Sequence, residues 1–479
     1  MSKERMKFDR YHCSMGNFAN TEHSKINGKK LADRTAIFYI TQRKLPFAPC
    51  VGHEKLLNNN SLVIPALSIP QLRFLRQDKA GLDKIAEKLS SAKSPFLVRA
   101  VTPGTIVFAN QPIADIQGPF DLTQMMEITF EHAFDGPMYY AGKAMAMRLE
   151  AGDRHISEFA LRRAGDVDRA LEISTYSYIG GLDDTSNMDS GYTLDTNTTG
   201  TTAHYYYESF SINLYDLQPE TDGKGRKKHF QQIAVERWLD GHPNGTSILL
   251  DTLKLKLGLI HTIRAAKSSK AREGALKYVR IDSGDLPQNT RWIRDMLNAN
   301  GLKHVGIIAT GDVDENEIKR ILQITPEVTG FGIGTAFVTG VSGVIYKLCE
   351  IDEHSIMKLS ETPGKETIPG QVQIWRCLDD DGFYAKDIIT LVNEWPQWDH
   401  KKTIPLLKHF YGGGRETELP LSFSDQKKFV EQQIKLFRDI RSYPVEMSGS
   451  IKESKERLIE RMLEDEMGED EVVMVSYSK

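Results

Sequence analysis

Between Ser247 and Thr335 one short pattern recurs: SILLDT (Ser247–Thr252), KYVRIDSGD (Lys277–Asp285), HVGIIATGD (His304–Asp312) and TGFGIGT (Thr329–Thr335). Each is an apolar run of strand length, and the first three end in carboxylates. Asp251, Asp282 and Asp312 stand 31 and 30 positions apart, the length of one strand–helix unit. Amphipathic stretches such as Thr290–Asn300 fill the intervals. Right-handed crossovers bring the ends of such strands to one rim. That rim carries the site in a βα barrel and equally in an open doubly wound sheet. Periodicity does not separate the two. The reading carried forward is α/β, with an irregular, TIM-like βα barrel.

Working outward, TAIFYIT (Thr35–Thr41) predicts a strand ended by Pro46. Leu97–Ile116 predicts two or three short strands broken at Pro103-Gly104 and at Asn110-Gln111-Pro112. Leu122–Ala151 predicts two helices separated by Asp135-Gly136-Pro137. Ile451–Glu466 has opposite charges at i/i+4 and a narrow apolar stripe, so it predicts a surface helix. The expected division is an N-terminal α/β domain (1–130), the barrel (131–350) and a C-terminal α+β region (351–479) packing on both.

Composition narrows the class. The chain has 479 residues, 40% hydrophobic and 26% charged, which suits a soluble globular protein of more than one domain. Its 61 basic and 65 acidic side chains give a net charge of −4, which disfavours nucleic-acid and anionic-membrane partners. The basic run Lys224–His229 reads as a solvated loop. Cys13, Cys50, Cys349 and Cys377 form no CxxC pair and suit a reducing compartment. No run approaches a transmembrane span, and the charged start MSKERMKFDRYH lacks a signal-peptide core. A cytoplasmic protein is expected.

Four constellations could carry chemistry. Gly311-Asp312 and Gly332-Ile333-Gly334-Thr335 would let backbone N–H groups approach a phosphate, although glycines also serve tight turns. In Arg280-Ile281-Asp282-Ser283-Gly284-Asp285, Arg280 and Asp282 alternate onto one strand face. They could hold a phosphate, a ribose diol or Mg²⁺, or form a structural ion pair. Gly200-Thr201-Thr202-Ala203-His204 presents an imidazole after small residues, as a nucleophile, a base or a structural histidine. Glu158-Phe159-Ala160-Leu161-Arg162-Arg163 pairs two arginines that could clamp a carboxylate or phosphate, or simply be solvated.

Taken in order, the motifs resemble the nicotinate phosphoribosyltransferase family, the large type II phosphoribosyltransferases. The matches begin with Asp9-Arg10-Tyr11 and Met15, Arg43-Lys44-x-Pro46-Phe47, Pro103-Gly104-Thr105-x-Val107-Phe108 and Gly118-Pro119-Phe120. EFALRRA (Glu158–Ala164), GGLDDTSN (Gly180–Asn187) and GTTAH (Gly200–His204) follow. LLDT (Leu249–Thr252), RIDSGDL (Arg280–Leu286), FGIGT (Phe331–Thr335), YKL (Tyr346–Leu348) and KLSETPGKETIPG (Lys358–Gly370) complete the series.

The resemblance implies that nicotinate and 5-phosphoribosyl 1-diphosphate (PRPP) give nicotinate mononucleotide and pyrophosphate, in NAD salvage. ATP would be a co-substrate, its hydrolysis coupled through a phosphohistidine at His204. Arg162 or Arg163 would meet the substrate carboxylate and phosphates, with Thr201, Ser283 and Gly284 beside the substrate. Asp251 and Asp282 would hold ribose hydroxyls or Mg²⁺, with Arg280 near the pyrophosphate. Gly311, Asp312, Gly332, Gly334 and Thr335 would bind the 5′-phosphate. Phe159 and Tyr11 would sandwich the pyridine ring, Tyr11 coming from the second subunit of a homodimer with a shared active site.

Three departures bear on the pocket. Tyr205 replaces the serine usual after the histidine and would crowd or re-line the pocket. Asp184 replaces a small glycine in GLDDTSN; at the ring substituent it would repel a carboxylate and favour nicotinamide. Thr310 replaces a serine and keeps its hydroxyl.

Overall fold

The computed structural model describes residues 6–58, 61–79, 81–215, 219–360, 365–413 and 421–466. Its chain forms two compact units, Met1–Met138 with Val341–Lys479, and Tyr139–Gly340. The expected segments 1–130, 131–350 and 351–479 thus stand against two units, the first and last segments sharing one.

In the first unit the cause is strand pairing. Thr35–Gln42 lies between Val344–Ile351 and Pro112–Pro119, antiparallel to both. Leu97–Val101 continues the sheet, and Leu407–Tyr411 closes its far edge. Three early strands are therefore flanked on both sides by strands from later in the chain, in one six-stranded sheet whose other edge is His354–Ser355. A second sheet holds Thr403–Pro405, Val372–Leu378, Tyr384–Leu391 and Val445–Met447.

One helix corrects the sequence reading. Asp135-Gly136-Pro137 does not divide two helices; Glu127–Ala151 runs through it. Pro137 deprives the carbonyl of Ala133 of its helical donor. Against that carbonyl packs Gly52, where φ is +109° and a Cβ would stand 2.0 Å from the oxygen. The Asp135 carboxylate is taken up outside the helix, accepting from Gly343 N at 2.7 Å and Val344 N at 3.0 Å. Asp135 is therefore satisfied by neighbours with the helix intact, and Gly52 leaves room at the Ala133 carbonyl.

The second unit carries the periodic stretch. Its sheet runs Asp184–Thr185, His155–Glu158, Gly330–Ile333, Gly306–Ala309, Leu276–Ile281 and Thr246–Leu249, in that order. Every ladder is parallel. Ile248, Val279, Ile307 and Phe331 are wholly buried, as strands covered on both faces require. Among the described residues no ladder joins the two end strands. The architecture is thus mixed α/β with an open parallel sheet, and the barrel expectation holds to that extent only.

All four cysteines are free and buried. Among the described residues no helix is long and apolar enough to cross a membrane.

Candidate active site

Parallel strands deliver their C-terminal ends to one rim, and the second unit's candidate residues gather there. Arg280, in Leu276–Ile281, points the same way as Asp282, and their side chains meet at 3.1 Å. The guanidinium also donates to Thr310 Oγ1 at 2.9 Å and to Thr201 Oγ1 at 2.6 Å. Thr310 Oγ1 lies 2.6 Å from Asp282 Oδ1. Arg280 therefore ties three loops together, and its carbon Cζ lies 5.9 Å from the centre of the Phe159 ring.

The glycines make room for these groups. At Gly332 a Cβ would stand 2.4 Å from the Phe159 ring, so only glycine lets that ring lie across the strand end. Gly311 has φ +88° and would clash with the Asp282 carbonyl at 2.1 Å.

Two cavities open at this rim. The first, about 170 Å³, is lined by Arg162, Arg163, Arg280, Gly311, Gly332 and Thr335, with Phe159, Asp282, Thr310, Asp312 and Gly334. The second, about 290 Å³, shares Phe159, Arg162, Arg280 and Asp282 and adds Ser186, Thr201, Thr202 and His204. Among the described residues the guanidinium of neither Arg162 nor Arg163 has a hydrogen-bond or ion-pair partner. Unpaired cations lining a cavity with a glycine-rich wall can hold an anion.

His204 opens the short helix His204–Ser209, and its Nδ1 lies 3.3 Å from Thr252 Oγ1. Buried Tyr207 anchors that loop: its hydroxyl meets Thr202 Oγ1 at 2.7 Å and accepts from Leu249 N at 3.0 Å. Asp251 Oδ2 accepts from Asp282 N at 3.2 Å and from the Ser283 hydroxyl. Asp251, Ser283 and Gly284 line a neighbouring cavity, outside the two just described.

The EFALRRA motif opens on Glu158, for which sequence alone assigns no role. It is 1% exposed and accepts from Ser174 Oγ at 2.6 Å, Thr185 Oγ1 at 2.5 Å and Ala160 N. Burial raises its pKa, against the pull of these donors. The carboxylate fixes the turn that presents Phe159, Arg162 and Arg163. A glutamate before an aromatic in a strand-end motif was the available signal; its three donors were not visible in sequence.

Two departures read differently in three dimensions. Asp184 lines neither cavity; it is 8% exposed and its Oδ2 is 2.8 Å from His155 Nε2. The side chain is held by His155, the first residue of the neighbouring strand His155–Glu158. Tyr205 is 75% exposed and lines neither cavity, so it does not crowd the pocket. Tyr11 stands in the first unit, on the helix Arg10–Ala19, and donates to Glu127 Oε2 at 2.6 Å. It is 44% exposed, and Phe159 belongs to the other unit.

No family model matches the chain. Individual relatives do. The nicotinate phosphoribosyltransferase of Bos taurus is 29% identical over 401 residues, 71% of this chain and 74% of its own length. That of Bacillus subtilis is 26% identical over 376 residues, 76% of this chain and 72% of its own. The crystal structure of human nicotinic acid phosphoribosyltransferase superposes with a TM-score of 0.70 at 24% identity, covering 94% of this chain and 99% of that one. A nicotinate-nucleotide pyrophosphorylase from Pyrococcus furiosus gives 0.66 at 18% identity, over 90% and 95% of the two chains. Relatives and rim together define an enzyme of the phosphoribosyltransferase class. Within that class the chain is a relative of the nicotinate phosphoribosyltransferases, as its ordered motifs implied.

Proposed function

We propose that this enzyme joins nicotinate to PRPP in the cytoplasm, forming nicotinate mononucleotide and pyrophosphate for NAD salvage. The observation that carries the reading is the pair of unpaired arginines, Arg162 and Arg163, lining a cavity walled by Gly311, Gly332 and Gly334. The 5′-phosphate would sit against the glycines and Thr335. The pyridine would lie by Phe159 in the adjoining cavity, with Arg162 toward its carboxylate. Asp184 pairs with His155 and Asp183 with Arg148, so in this reading neither carboxylate of GLDDTSN is left to oppose an anionic base.

At C1 of the ribose, the bond to the diphosphate oxygen breaks with its electron pair, and the ring nitrogen bonds to carbon. Arg280 and its neighbours hold the developing negative charge, and stacking aims the base. Mg²⁺, when bound, would neutralise the leaving diphosphate. Asp251 Oδ1 is buried without a partner, so Asp251 and Asp282 are the oxygens to hold it. Among the described residues no three ligand side chains cluster, so phosphates and water would complete its shell.

ATP is the co-substrate in this reading. Its γ-phosphoryl leaves the β–γ bridging oxygen for a His204 nitrogen, with ADP departing; water later releases phosphate. We read the parallel sheet as part of an irregular barrel, and the enzyme as a homodimer in which Tyr11 of one copy completes the other's site.

The test mixes protein, PRPP and Mg²⁺ with nicotinate or nicotinamide, with and without ATP, and reads the mononucleotide by mass spectrometry. Nicotinate mononucleotide, increased by ATP, is the expected result. Nicotinamide mononucleotide would reverse the base assignment, and no product from either base would remove the activity.

A further inference from the structure

Glu158 ends the strand His155–Glu158 and lines neither rim cavity, although its neighbours line both. Its carboxylate is buried without a counter-ion. Among the described residues no lysine, arginine or histidine pairs with it, and the charged side chain acting on it, Asp184, has the same sign. A carboxylate in such a place costs free energy unless hydrogen bonds hold its charge. Here every partner donates. Ala160 N–H can do nothing else. The Thr185 hydroxyl accepts from Asn187 N at 3.0 Å, which leaves its own proton for Glu158 Oε2 at 2.5 Å. Ser174 Oγ, on the helix Val167–Ile179, adds a donor at 2.6 Å. An ionised carboxylate accepts from all of them, whereas a side-chain amide of the same shape would turn an N–H toward one.

The donors come from both sides of the site. On the Ala160 side, Phe159, Arg162 and Arg163 line the first cavity. On the Thr185 side, Ser186 lines the second cavity with Thr201 and His204. The main chain repeats the link, since Glu158 O accepts from Ser186 N at 2.9 Å.

We propose that ionised Glu158 is a positioning residue for the transfer reaction: it locks the turn carrying Phe159 and the two arginines to the strand end carrying Ser186, so that both cavities keep their shape together. It touches no substrate and acts through Ala160 N–H and the Thr185 hydroxyl. The assignment rests on the reading of the rim as the site for PRPP and nicotinate.

The test compares Glu158→Gln, Thr185→Val and Thr185→Ser with the unaltered protein, each below its own melting temperature. Calorimetry reads PRPP affinity, and steady-state rates read the nicotinate KM and kcat. Glu158→Gln and Thr185→Val are each expected to weaken PRPP binding and raise the nicotinate KM about tenfold or more, the scale of a lost hydrogen bond to a charged group. The change in kcat should be smaller. Thr185→Ser keeps the hydroxyl and should behave as the unaltered protein, and Glu158→Gln combined with Thr185→Val should add little to either alone. Variants that melt lower yet bind both substrates normally would make Glu158 a stabilising group only and overturn the proposal. A Thr185→Ser protein as weak as Thr185→Val, or an unaltered protein that does not bind PRPP, would overturn it too. PRPP binding that weakens in Glu158→Gln and Thr185→Val, with no mononucleotide formed by the unaltered protein, would keep the lock and sink the transferase reading instead.

Discussion

Arg280 joins Thr201, Thr310 and Asp282 through a planar fork, and an ammonium cannot reach all three. Arg280→Lys is expected to lower kcat/KM about a hundredfold, an effect typical of lost transition-state charge stabilisation. Steady-state rates with PRPP and nicotinate check it. Among the described residues His204 makes one side-chain hydrogen bond, to Thr252 Oγ1, so His204→Ala should leave ATP-independent product formation in place. It should abolish both the ATP stimulation and an acid-labile phosphoprotein. A different side chain gives a pH signature. The hydrogen bond to Asp184 raises the His155 pKa, partly offset by burial. A raised imidazole pKa means the folded state holds its proton more tightly. The stabilisation is therefore full below the ordinary imidazole value and lost as pH rises through the raised one. Denaturant melts of the unaltered protein should show that fall from mildly acid to alkaline pH, and Asp184→Asn should flatten it.

Elements explain which parts of the site were legible. Strand alternation put Arg280 and Asp282 on one face, and the spacing of the three aspartates put their strands on one rim; both stand in the structure. The same rule could not orient Asp184, because its strand is two residues long and its partner His155 comes from a different strand. Nor could it show that Tyr205 sits on the outer side of a short helix. The helix Glu127–Ala151 fails for a related reason. Pro137 breaks a helix only where the surroundings cannot accommodate the carbonyl it orphans, and here that carbonyl packs against Gly52, eighty-one positions before Ala133. Substituting Gly52→Ala places a methyl 2.0 Å from that oxygen at a φ of +109°. A loss of about 1–3 kcal/mol in unfolding free energy is expected, the range of strained or overpacked sites. Chemical denaturation measures it.

At the scale of the molecule, the first unit is made from both ends of the chain, which no local pattern could announce. Its most demanding contact is the pair Arg376 and Asp387, 1% and 0% exposed, joined at 2.9 and 3.0 Å. Asp387 also accepts from Gln111 Nε2 and Tyr443 Oη, each at 2.8 Å, and Arg376 donates to the Ile106 carbonyl at 2.7 Å. Tyr384, Phe437 and Tyr443 surround the guanidinium, its Cζ 4.9–5.9 Å from their ring centres. The pair thus binds the late hairpin Val372–Leu378 and Tyr384–Leu391 to the early strand Ile106–Phe108. Burying two charges stabilises little in itself, but removing one leaves the other unpaired at a cost of about 3–5 kcal/mol. Asp387→Ala should therefore lower the melting temperature sharply, whereas the double change Arg376→Met/Asp387→Leu should recover much of the loss. If Asp387→Ala melts like the unaltered protein, the two chain ends are held together by the shared sheet alone.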